Sequence, residues 1–398
     1  MNIGIYIGNM DPTLGGGYTF QESLLTQLNN VNSSHQFTVF YKGRLPASLQ
    51  DVKLIKIAVD GAHRGLVFRK KISYRWQSFL NKIRLRKKSV TRFSDLELVA
   101  MQEKIELIWL PSQDYIPISN IPYFFTVWDL QHRLQPYFPE VSRDHIWQQR
   151  ETMFSDAIRK ASYVITGTEA GKNEITRFYD VPEDRICHGL LHPTPSFALN
   201  CSRQYPLLAD IMQPYVFYPA QFWSHKNHVC ILLALKHLKE KVGIRINAVF
   251  VGRDFGNRAF IEKQVEQLGL SGQVKLFGFV ERETLIGLYQ HSLALVYPSF
   301  FGPENLPPLE AMALGVPAIA ANMPGVDEQL GNYALLFNPA DENELAKHIH
   351  NMYSDETLRN QMIQRGHQRS RAFTIEHYMT EMMKLFDRFE KIRRCWEF

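Results

Sequence analysis

The feature that most constrains this chain is an alternation of short β-rich runs with longer helical runs, which stops and then starts again. In the first half it predicts strands at 2–7, 37–41, 53–58, 105–110, 123–128 and 163–166. In the second half it predicts strands at 215–220, 246–252, 274–279, 293–298 and 317–321, and helices at 228–241, 257–269 and 283–290. Such alternation is typical of parallel sheets with crossover helices. The sequence therefore predicts an α/β fold of two doubly wound, Rossmann-like domains.

The interruption between the two series lies at residues 196–214, which are polar, contain prolines and have weak periodicity. We therefore predict an N-terminal domain over residues 1–200 and a C-terminal domain over residues 201–375. A final amphipathic helix over residues 376–398 is predicted to close back on the N-terminal domain. The two domains would face each other across a central cleft at the carboxyl ends of their strands, where ligands bind in this architecture.

The composition is that of an ordinary globular protein, with 45% hydrophobic and 21% charged residues. The four cysteines form no CxxC pair, which favours a reducing compartment and argues against a structural zinc site. No apolar run approaches the ~20 residues that span a bilayer. The start, MNIGIYIGNM, is predicted to be a strand and not a signal peptide. The expected location is the cytoplasm.

The stretch FGPENLPPLEAMALGVP, residues 301–317, is predicted to be a loop that leads from a strand into a helix. Prolines suit the first turn of a helix, and the unpaired N–H groups of that turn attract anions. Glu310, which the sequence places in this first turn, has two interpretations. Its carboxylate would accept hydrogen bonds from sugar hydroxyls, or it would complement the helix dipole.

Three further loops follow predicted strands. In PAQFWSHKNH (219–228), Lys226 would neutralise a phosphate, although a lone lysine is more often a solvated surface group. In LGGGYTF (14–20), Gly16 and Gly17 would let the backbone approach a phosphate or sugar, or would only form a turn. VWDLQHRLQPYFPE (127–140) carries Asp129 and His132, which are either active-site groups or structural ones.

Residues 298–341, PSFFGPENLPPLEAMALGVPAIAANMPGVDEQLGNYALLFNPAD, resemble the donor-binding segment of glycosyltransferase family 4. The likeness extends over residues 215–350 through VFYPAQFWSHKNH, VFVG, VKLFGFV and LALVYPS. It continues more thinly through the glycine loop, residues 123–142 and ASYVITGTEAGKNEI. The resemblance implies the two-domain GT-B fold and a retaining transfer from a nucleotide-diphosphate sugar. It also implies front-face attack, in which the departing phosphate deprotonates the acceptor hydroxyl.

The resemblance also assigns roles to individual residues. Glu310 would bind the nucleotide ribose, and Lys226 the diphosphate. Further donor contacts would come from Gln221, Gly278, Phe279, Glu304, Asn305 and Leu306, where Gly278 and Phe279 lie beside the base and the amides of Asn305 and Leu306 meet the diphosphate. The N-terminal domain would present Gly16, Gly17, Asp129 and His132 to the donor.

The sequence departs from the family pattern at three places. Gly302 stands where a first, sugar-reading glutamate is expected, so Glu304 or the following amides would have to replace it. Gln221 stands where arginine is commoner, and Trp128 precedes Asp129 where a histidine is often found. These departures keep two alternatives open: a non-catalytic GT-B protein that binds nucleotide sugar or a partner enzyme, and a nucleotide-sugar epimerase.

Two motifs are absent from the sequence. No Asp-x-Asp occurs, so we expect metal-independent transfer with no cofactor beyond the nucleotide sugar as co-substrate. No GxxxxGK[ST] occurs either, which argues against an ATPase or kinase of that type. The predicted function is transfer of a hexosyl unit to a glycan or lipid-linked acceptor in polysaccharide biosynthesis.

Residues 64–88 contain ten lysines or arginines and no acid, with an apolar stripe at helical spacing. This pattern predicts a helix that lies on an anionic membrane surface, which would make the protein peripheral on the inner face of the membrane. The alternative is a core-packing helix with a solvated basic face. Nucleic acid is not an expected partner, because no recognised binding module accompanies the basic residues.

Overall fold

The computed structural model describes residues 1–43, 45, 52–57 and 94–396 of the chain. The basic segment 64–88 lies outside the described residues. Within the described ranges, no helix is long and apolar enough to cross a membrane. The chain forms two parallel sheets, each covered by helices.

Among the described residues, the N-terminal sheet has seven strands. They are β1 (Asn2–Asn9), β2 (Gln36–Lys42), β3 (Lys53–Lys56), β4 (Leu107–Leu110), β5 (Tyr123–Thr126), β6 (Tyr163–Ile165) and β7 (Ile186–Cys187). Their order is β3-β2-β1-β4-β5-β6-β7, and all neighbours are parallel. The order reverses between β1 and β4, which creates a crevice at the carboxyl ends of these strands.

Side chains on β1 alternate between two cores, as the period of a strand requires. Ile3 and Ile5 belong to one core and Tyr6 to the other. In the part of this domain that the structure describes, the helices are α1 (Gly16–Leu28), α2 (Asp95–Gln102), α3 (Gln131–Leu134), α4 (Pro139–Ser142), α5 (Ile146–Lys160), α6 (Glu169–Tyr179) and α7 (Ser196–Leu199).

The second half repeats the architecture with six strands. They are β8 (Tyr215–Pro219), β9 (Asn247–Val251), β10 (Val274–Phe277), β11 (Ala294–Tyr297), β12 (Ala318–Ala321) and β13 (Leu335–Phe337), in the order β10-β9-β8-β11-β12-β13. The helices are α8 (His228–His237), α9 (Arg258–Gln267), α10 (Arg282–Gln290), α11 (Leu306–Ala313), α12 (Val326–Leu330), α13 (Glu342–Ser354) and α14 (Glu356–Ala372). One continuous apolar core covers both faces of this sheet.

The predicted fold of two doubly wound α/β domains is confirmed. The hydrophobic pattern did not predict β7 and β13, which contain two and three residues. A strand this short has too few residues to show an alternation of apolar and polar side chains. The predicted strand at 53–58 is shorter in the structure and ends at Lys56. The domain boundaries at residues 200 and 375 stay predictions.

The last helix, α15 (Ile375–Arg393), leaves the C-terminal domain and packs on the N-terminal sheet, as predicted. The ring of Phe386 stacks on Phe124 at 5.7 Å between centroids and meets the edge of Trp109 at 5.6 Å. The amino group of Met1 lies 3.3 Å from a carboxylate oxygen of Glu390. The end of the chain is therefore part of the core around β1 and β4.

Candidate functional site

The loops at the carboxyl ends of both sheets meet at a cavity of about 380 Å³, which we call the cleft cavity. Its position follows from the topology, because the loops after β1, β8 and β11 flank the two places where strand order reverses, and the loop after β5 lies on the same edge of the N-terminal sheet. The N-terminal wall consists of residues 15–17, Trp128, Asp129, Gln131 and His192. The C-terminal wall consists of residues 219–221, Trp223, His225, Lys226, Tyr297 and 301–307.

The cavity brings together most, but not all, of the side chains that the sequence singled out. The predicted residues that line it are Gly16, Gly17, Asp129, Gln221, Lys226, Glu304, Asn305 and Leu306. The predicted residues that do not line it are His132, Gly278, Phe279 and Glu310. The first group comes from four separate strand-to-helix connections, so only the fold explains their proximity.

Lys226 is the last residue of a short 3-10 turn that joins β8 to α8. Its Nζ donates to the Tyr297 hydroxyl at 3.0 Å and lies 5.2 Å from the centre of that ring. The next residue, Asn227, is left-handed with φ 55° and bonds the carbonyls of two neighbouring loops. Among the described residues of the cavity wall, Lys226 is the one lysine or arginine. It is therefore held where an anion would enter.

The start of α11 offers fewer N–H donors than its sequence suggests. The Asn305 N–H already donates to Oε1 of Gln329 at 2.9 Å. Pro307 and Pro308 have no N–H at all. Among the described residues, only the Leu306 N–H in this turn remains without an acceptor. The expectation that the amides of Asn305 and Leu306 both face a diphosphate is thus reduced to Leu306.

Gly302 has a backbone reason to be glycine. Its φ is +123°, a region that residues with a side chain rarely adopt, and an added Cβ would lie 2.7 Å from Oδ1 of Asn305. A glutamate at this position would strain the loop. The carboxylate of this loop comes from Glu304, whose Oε1 accepts the His192 N–H at 2.6 Å from the opposite domain.

Glu310 is not in the first turn of α11, since it is the fifth residue of the helix and that turn contains no acid. The interpretation that it complements the helix dipole loses its basis, because the effect is confined to the first turn. The side chain is buried, and Tyr289 donates its hydroxyl hydrogen to Oε2 at 2.6 Å. Burial raises the pKa of Glu310 to about 7, against the opposing effects of Tyr289 and Arg282.

His132 does not reach the cleft cavity. It is fully buried, with its ring stacked on Phe154 at 5.1 Å between centroids. Its Nε2 lies 3.1 Å from the Tyr179 hydroxyl and 3.2 Å from a carboxylate oxygen of Glu151. Burial and the nearby Arg150 lower its pKa to about 4. The expected position facing the donor is corrected to a packed position inside the N-terminal domain.

Asp129 lies on the cavity wall but is already engaged. Its Oδ1 accepts from the Arg150 guanidinium at 2.5 Å and from the Gln131 N–H at 3.0 Å. Burial by itself raises the pKa of Asp129, and these two donors outweigh it, so the net shift is downward. The carboxylate is therefore ionised and fixed in orientation near neutral pH.

Gly278 and Phe279 follow β10 and lie outside the cavity wall. Half of the Phe279 surface is exposed. Their predicted place beside the base would require a ligand that extends beyond the cavity.

Sequence reasoning assigned no role to four residues of the site: His192, His225, Tyr297 and Glu140. The backbone N–H of His225 donates to Oε1 of Glu140 at 3.0 Å, and the His225 ring bonds the same oxygen, which joins the two domains. His225 lies in PAQFWSHKNH and Tyr297 in LALVYPS, so their positions at or after the end of a strand are the signal that points to them. His192 follows β7, the strand that the hydrophobic pattern missed.

The acids of the cavity wall offer no free ligand set for a metal. Asp129 is bonded to Arg150, and Glu304 to His192. Among the described residues, one group of potential metal ligands lies elsewhere, at His35, Asp387 and Glu390. Its members already pair with each other or with the amino terminus. Metal independence stays a prediction.

Comparison with known proteins places this site in a family context. Residues 206–369 match the family model described as glycosyl transferases group 1. The chain is 26% identical over 243 residues to the O-antigen chain mannosyltransferase B of Escherichia coli, a match that covers 59% of this chain and 63% of the mannosyltransferase. The chain thus aligns with less than two thirds of that relative's length.

Two solved structures share the fold over nearly the whole chain. Sucrose-phosphate synthase from Thermosynechococcus elongatus superposes with a TM-score of 0.71 at 18% identity, and the match covers 98% of this chain and 100% of the synthase. Anabaena Alr3699/HepE, solved in complex with UDP-glucose, superposes with a TM-score of 0.65 at 16% identity, covering 97% and 99% of the two chains. The described architecture is therefore the GT-B fold.

Proposed function

We propose that this protein is a retaining glycosyltransferase that moves a hexosyl unit from a nucleotide-diphosphate sugar to a glycan or lipid-linked acceptor. The observation that carries the proposal is the composition of the cleft cavity. One wall places a fixed cation, Lys226, beside the start of α11, and the facing wall supplies two glycines and an ionised carboxylate. The match to glycosyl transferases group 1 spans the residues of the C-terminal wall.

In this proposal the C-terminal wall holds the donor diphosphate. Lys226 would stabilise the charge that develops on the departing phosphate, because a preorganised cation acts without reorganisation cost. The Leu306 N–H at the start of α11 would add one hydrogen bond. Glu310 lies one turn further along α11, outside the cavity wall, and would accept the ribose hydroxyls of a ligand that extends beyond the cavity. The metal-free, front-face course rests on the family resemblance and on the absence of Asp-x-Asp from the sequence.

The N-terminal wall would hold the acceptor. Gly16 and Gly17 begin α1, so backbone and not side chains faces the cavity there. The Escherichia coli relative is named for O-antigen chain synthesis, which supports a role in polysaccharide assembly. Contact with an anionic membrane through residues 64–88, with the protein on the cytoplasmic face, belongs to the same proposal.

A donor panel tests the function directly. The protein is incubated with UDP-, GDP- and dTDP-linked hexoses, and thermal shift, donor hydrolysis and sugar transfer are measured. We expect one base and sugar to raise the melting temperature and to be hydrolysed slowly without acceptor. Binding without any turnover would favour a non-catalytic binding module, and interconversion of the sugar would favour an epimerase. No response to any donor would refute the proposal.

The role of Lys226 is tested with Lys226→Ala on the same donor. We expect transfer or hydrolysis to fall at least ~10-fold, since a charged contact to the leaving group is lost. Lys236→Ala is the matched control, because Lys236 is on α8, solvent-accessible, and forms only a 4.0 Å pair with Glu240. Equal turnover in the two variants would contradict the assignment.

A further inference from the structure

Glu304 reaches from the C-terminal domain into the N-terminal domain. Its side chain is only 3% exposed, although it belongs to the loop before α11. Among the described residues, it forms no salt bridge with a lysine or arginine. Its contacts are the His192 N–H at 2.6 Å and the His192 Nδ1 at 3.2 Å, both to Oε1. A buried carboxylate needs such donors to offset its desolvation, so His192 is its principal partner.

The N-terminal domain leaves space for this carboxylate at one glycine. A Cβ on Gly167 would lie 1.8 Å from Oε2 of Glu304, closer than atoms can approach. Gly167 is the second residue after β6, and its carbonyl accepts the Gly189 N–H. The Glu304 carboxylate therefore fits a recess formed by backbone, and its position is set by the domain that it enters.

His192 lies beside this carboxylate and also lines the cleft cavity. Its ring meets the edge of Phe20 at 5.1 Å and of Trp128 at 5.5 Å, and its side chain is 14% exposed on the cavity wall. A carboxylate beside Nδ1 favours the tautomer that carries hydrogen on Nδ1 and a lone pair on Nε2. Among the described residues, Nε2 has no hydrogen-bond partner. The ring is thus oriented, and one acceptor nitrogen is left for a ligand.

We propose that Glu304 and His192 form a sugar-recognition pair, in which His192 Nε2 accepts a hydrogen bond from a hydroxyl of the transferred hexose and Glu304 positions the ring. This inference rests on the proposed function. His192 touches the sugar, whereas Glu304 is a positioning residue that acts through it. Trp128, on the same wall, supplies an apolar surface of the kind against which the C–H face of a pyranose packs.

The pair also relates the glycine at residue 302 to the way in which the sugar is bound. With no side chain at residue 302, no carboxylate projects into the cavity from that position, and the polar contact to the sugar comes from the opposite domain. Because the carboxylate and the imidazole belong to different domains, the pair exists only when the domains are arranged as in this structure. In this proposal, sugar recognition therefore depends on the distance between the two walls of the cavity.

The test compares two ligands on one protein: the nucleotide sugar identified by the donor panel, and the free nucleoside diphosphate of the same base. Calorimetry measures both affinities for wild type, His192→Ala and Glu304→Ala. We expect both variants to bind the nucleotide sugar at least ~10-fold more weakly and the free diphosphate within ~2-fold of wild type, since only the sugar contact is lost.

Glu328→Ala is the matched control for general loosening of the domains. Glu328 also crosses between them, and accepts the backbone N–H groups of Glu169 and Ala170 at 2.8 and 3.2 Å, but it does not line the cavity. We expect this variant to change the affinities for both ligands by the same factor. Thermal unfolding of each variant verifies that it is folded. If His192→Ala does not fold, Glu304→Ala provides the test.

Three outcomes would overturn the inference. One is unchanged nucleotide-sugar affinity in both variants, and another is an equal loss for sugar nucleotide and free diphosphate, which indicates a structural role alone. Failure of wild type to bind any nucleotide sugar would overturn the proposed function and the inference together. Binding by wild type with unaffected variants would overturn the inference alone.

Discussion

At the scale of single residues, the site depends on which polar groups are already paired within the protein. Asp129 and Glu304 both lie on the cavity wall, yet each is bound to a neighbour, Arg150 in one case and His192 in the other. Among the described residues, Nζ of Lys226 contacts a tyrosine hydroxyl and ring and pairs with no acid. The cavity is therefore expected to attract anionic groups of a ligand at Lys226.

Glu310 is expected to make stability depend on pH. Its pKa of about 7 in the folded protein exceeds the ordinary value of 4.5, so the folded state holds this proton more tightly than the unfolded state. The resulting stabilisation is complete below pH 4.5 and is lost as the pH rises through about 7. Glu310→Gln cannot lose a proton, so its stability relative to wild type should rise across this window by roughly 2–3 kcal/mol.

Urea unfolding of both proteins without ligand, at several pH values across that window, measures the difference. Glu262→Gln on the exposed face of α9 reports the general effect of removing a carboxylate. Parallel stability curves for wild type and Glu310→Gln would show that the buried carboxyl is not the source of the dependence. The difference between the two proteins is the useful quantity, because His132 and His228, whose pKa values are lowered, act in the opposite direction.

At the scale of elements, the loop between β11 and α11 decides the shape of the C-terminal wall. Its path depends on Gly302, on the Asn305 side chain that donates to the Gly302 carbonyl at 2.7 Å, and on the prolines at the helix start. Gln329 from α12 binds the Asn305 N–H and so ties the loop to the rest of the domain. Contacts within the protein therefore set the path of this loop.

Gly302→Ala should therefore destabilise the protein. The substitution forces a Cβ into the φ of +123° and to within 2.7 Å of Asn305 Oδ1, and we expect a cost of about 1–3 kcal/mol. Gly278→Ala is the control for stability, because that glycine has no positive φ and no atom within 4 Å of an added Cβ. Urea unfolding measures both variants, and equal stabilities would refute the strain attributed to residue 302.

At the scale of the whole molecule, α15 joins the end of the chain to the core around β1. Phe386 is fully buried and packs against Phe124, Trp109 and Phe37. The last helix therefore stabilises the N-terminal domain, although it follows the C-terminal domain in sequence. The amino group of Met1, next to β1, pairs with Glu390 of the same helix.

Phe386→Ala should cost about 3–5 kcal/mol, because it removes a buried ring and leaves a cavity beside the sheet. Ile392→Ala, on the same helix but 47% exposed, should change stability by less than about 1 kcal/mol. Hydrogen exchange shows which domain is destabilised. In Phe386→Ala we expect exchange to accelerate more in β1 and β4 than in β8 and β11. Uniform acceleration in both sheets would argue against a domain-specific role for α15.

The sequence by itself determined the two-domain α/β architecture, the return of the last helix and the loops that contain the site. These follow from the period of apolar residues and from the residues at strand ends, which are local properties of the chain. Eight predicted residues, from Gly16 to Leu306, do line the cleft cavity. Lys226 lies just before α8, whereas Glu310 lies beyond the first turn of α11 in which the sequence placed it, and the roles of both stay predictions.

Only the tertiary structure decided which of these groups are free to meet a ligand. Three contacts illustrate this. His132 bonds Glu151, Asn305 bonds Gln329, and Glu304 pairs with His192. The partners are 19 to 112 positions apart in the chain. No local pattern encodes such contacts, because they depend on how two sheets and their loops pack against each other. Hydrogen bonding and desolvation at those contacts set both the ionisation of each group and its availability.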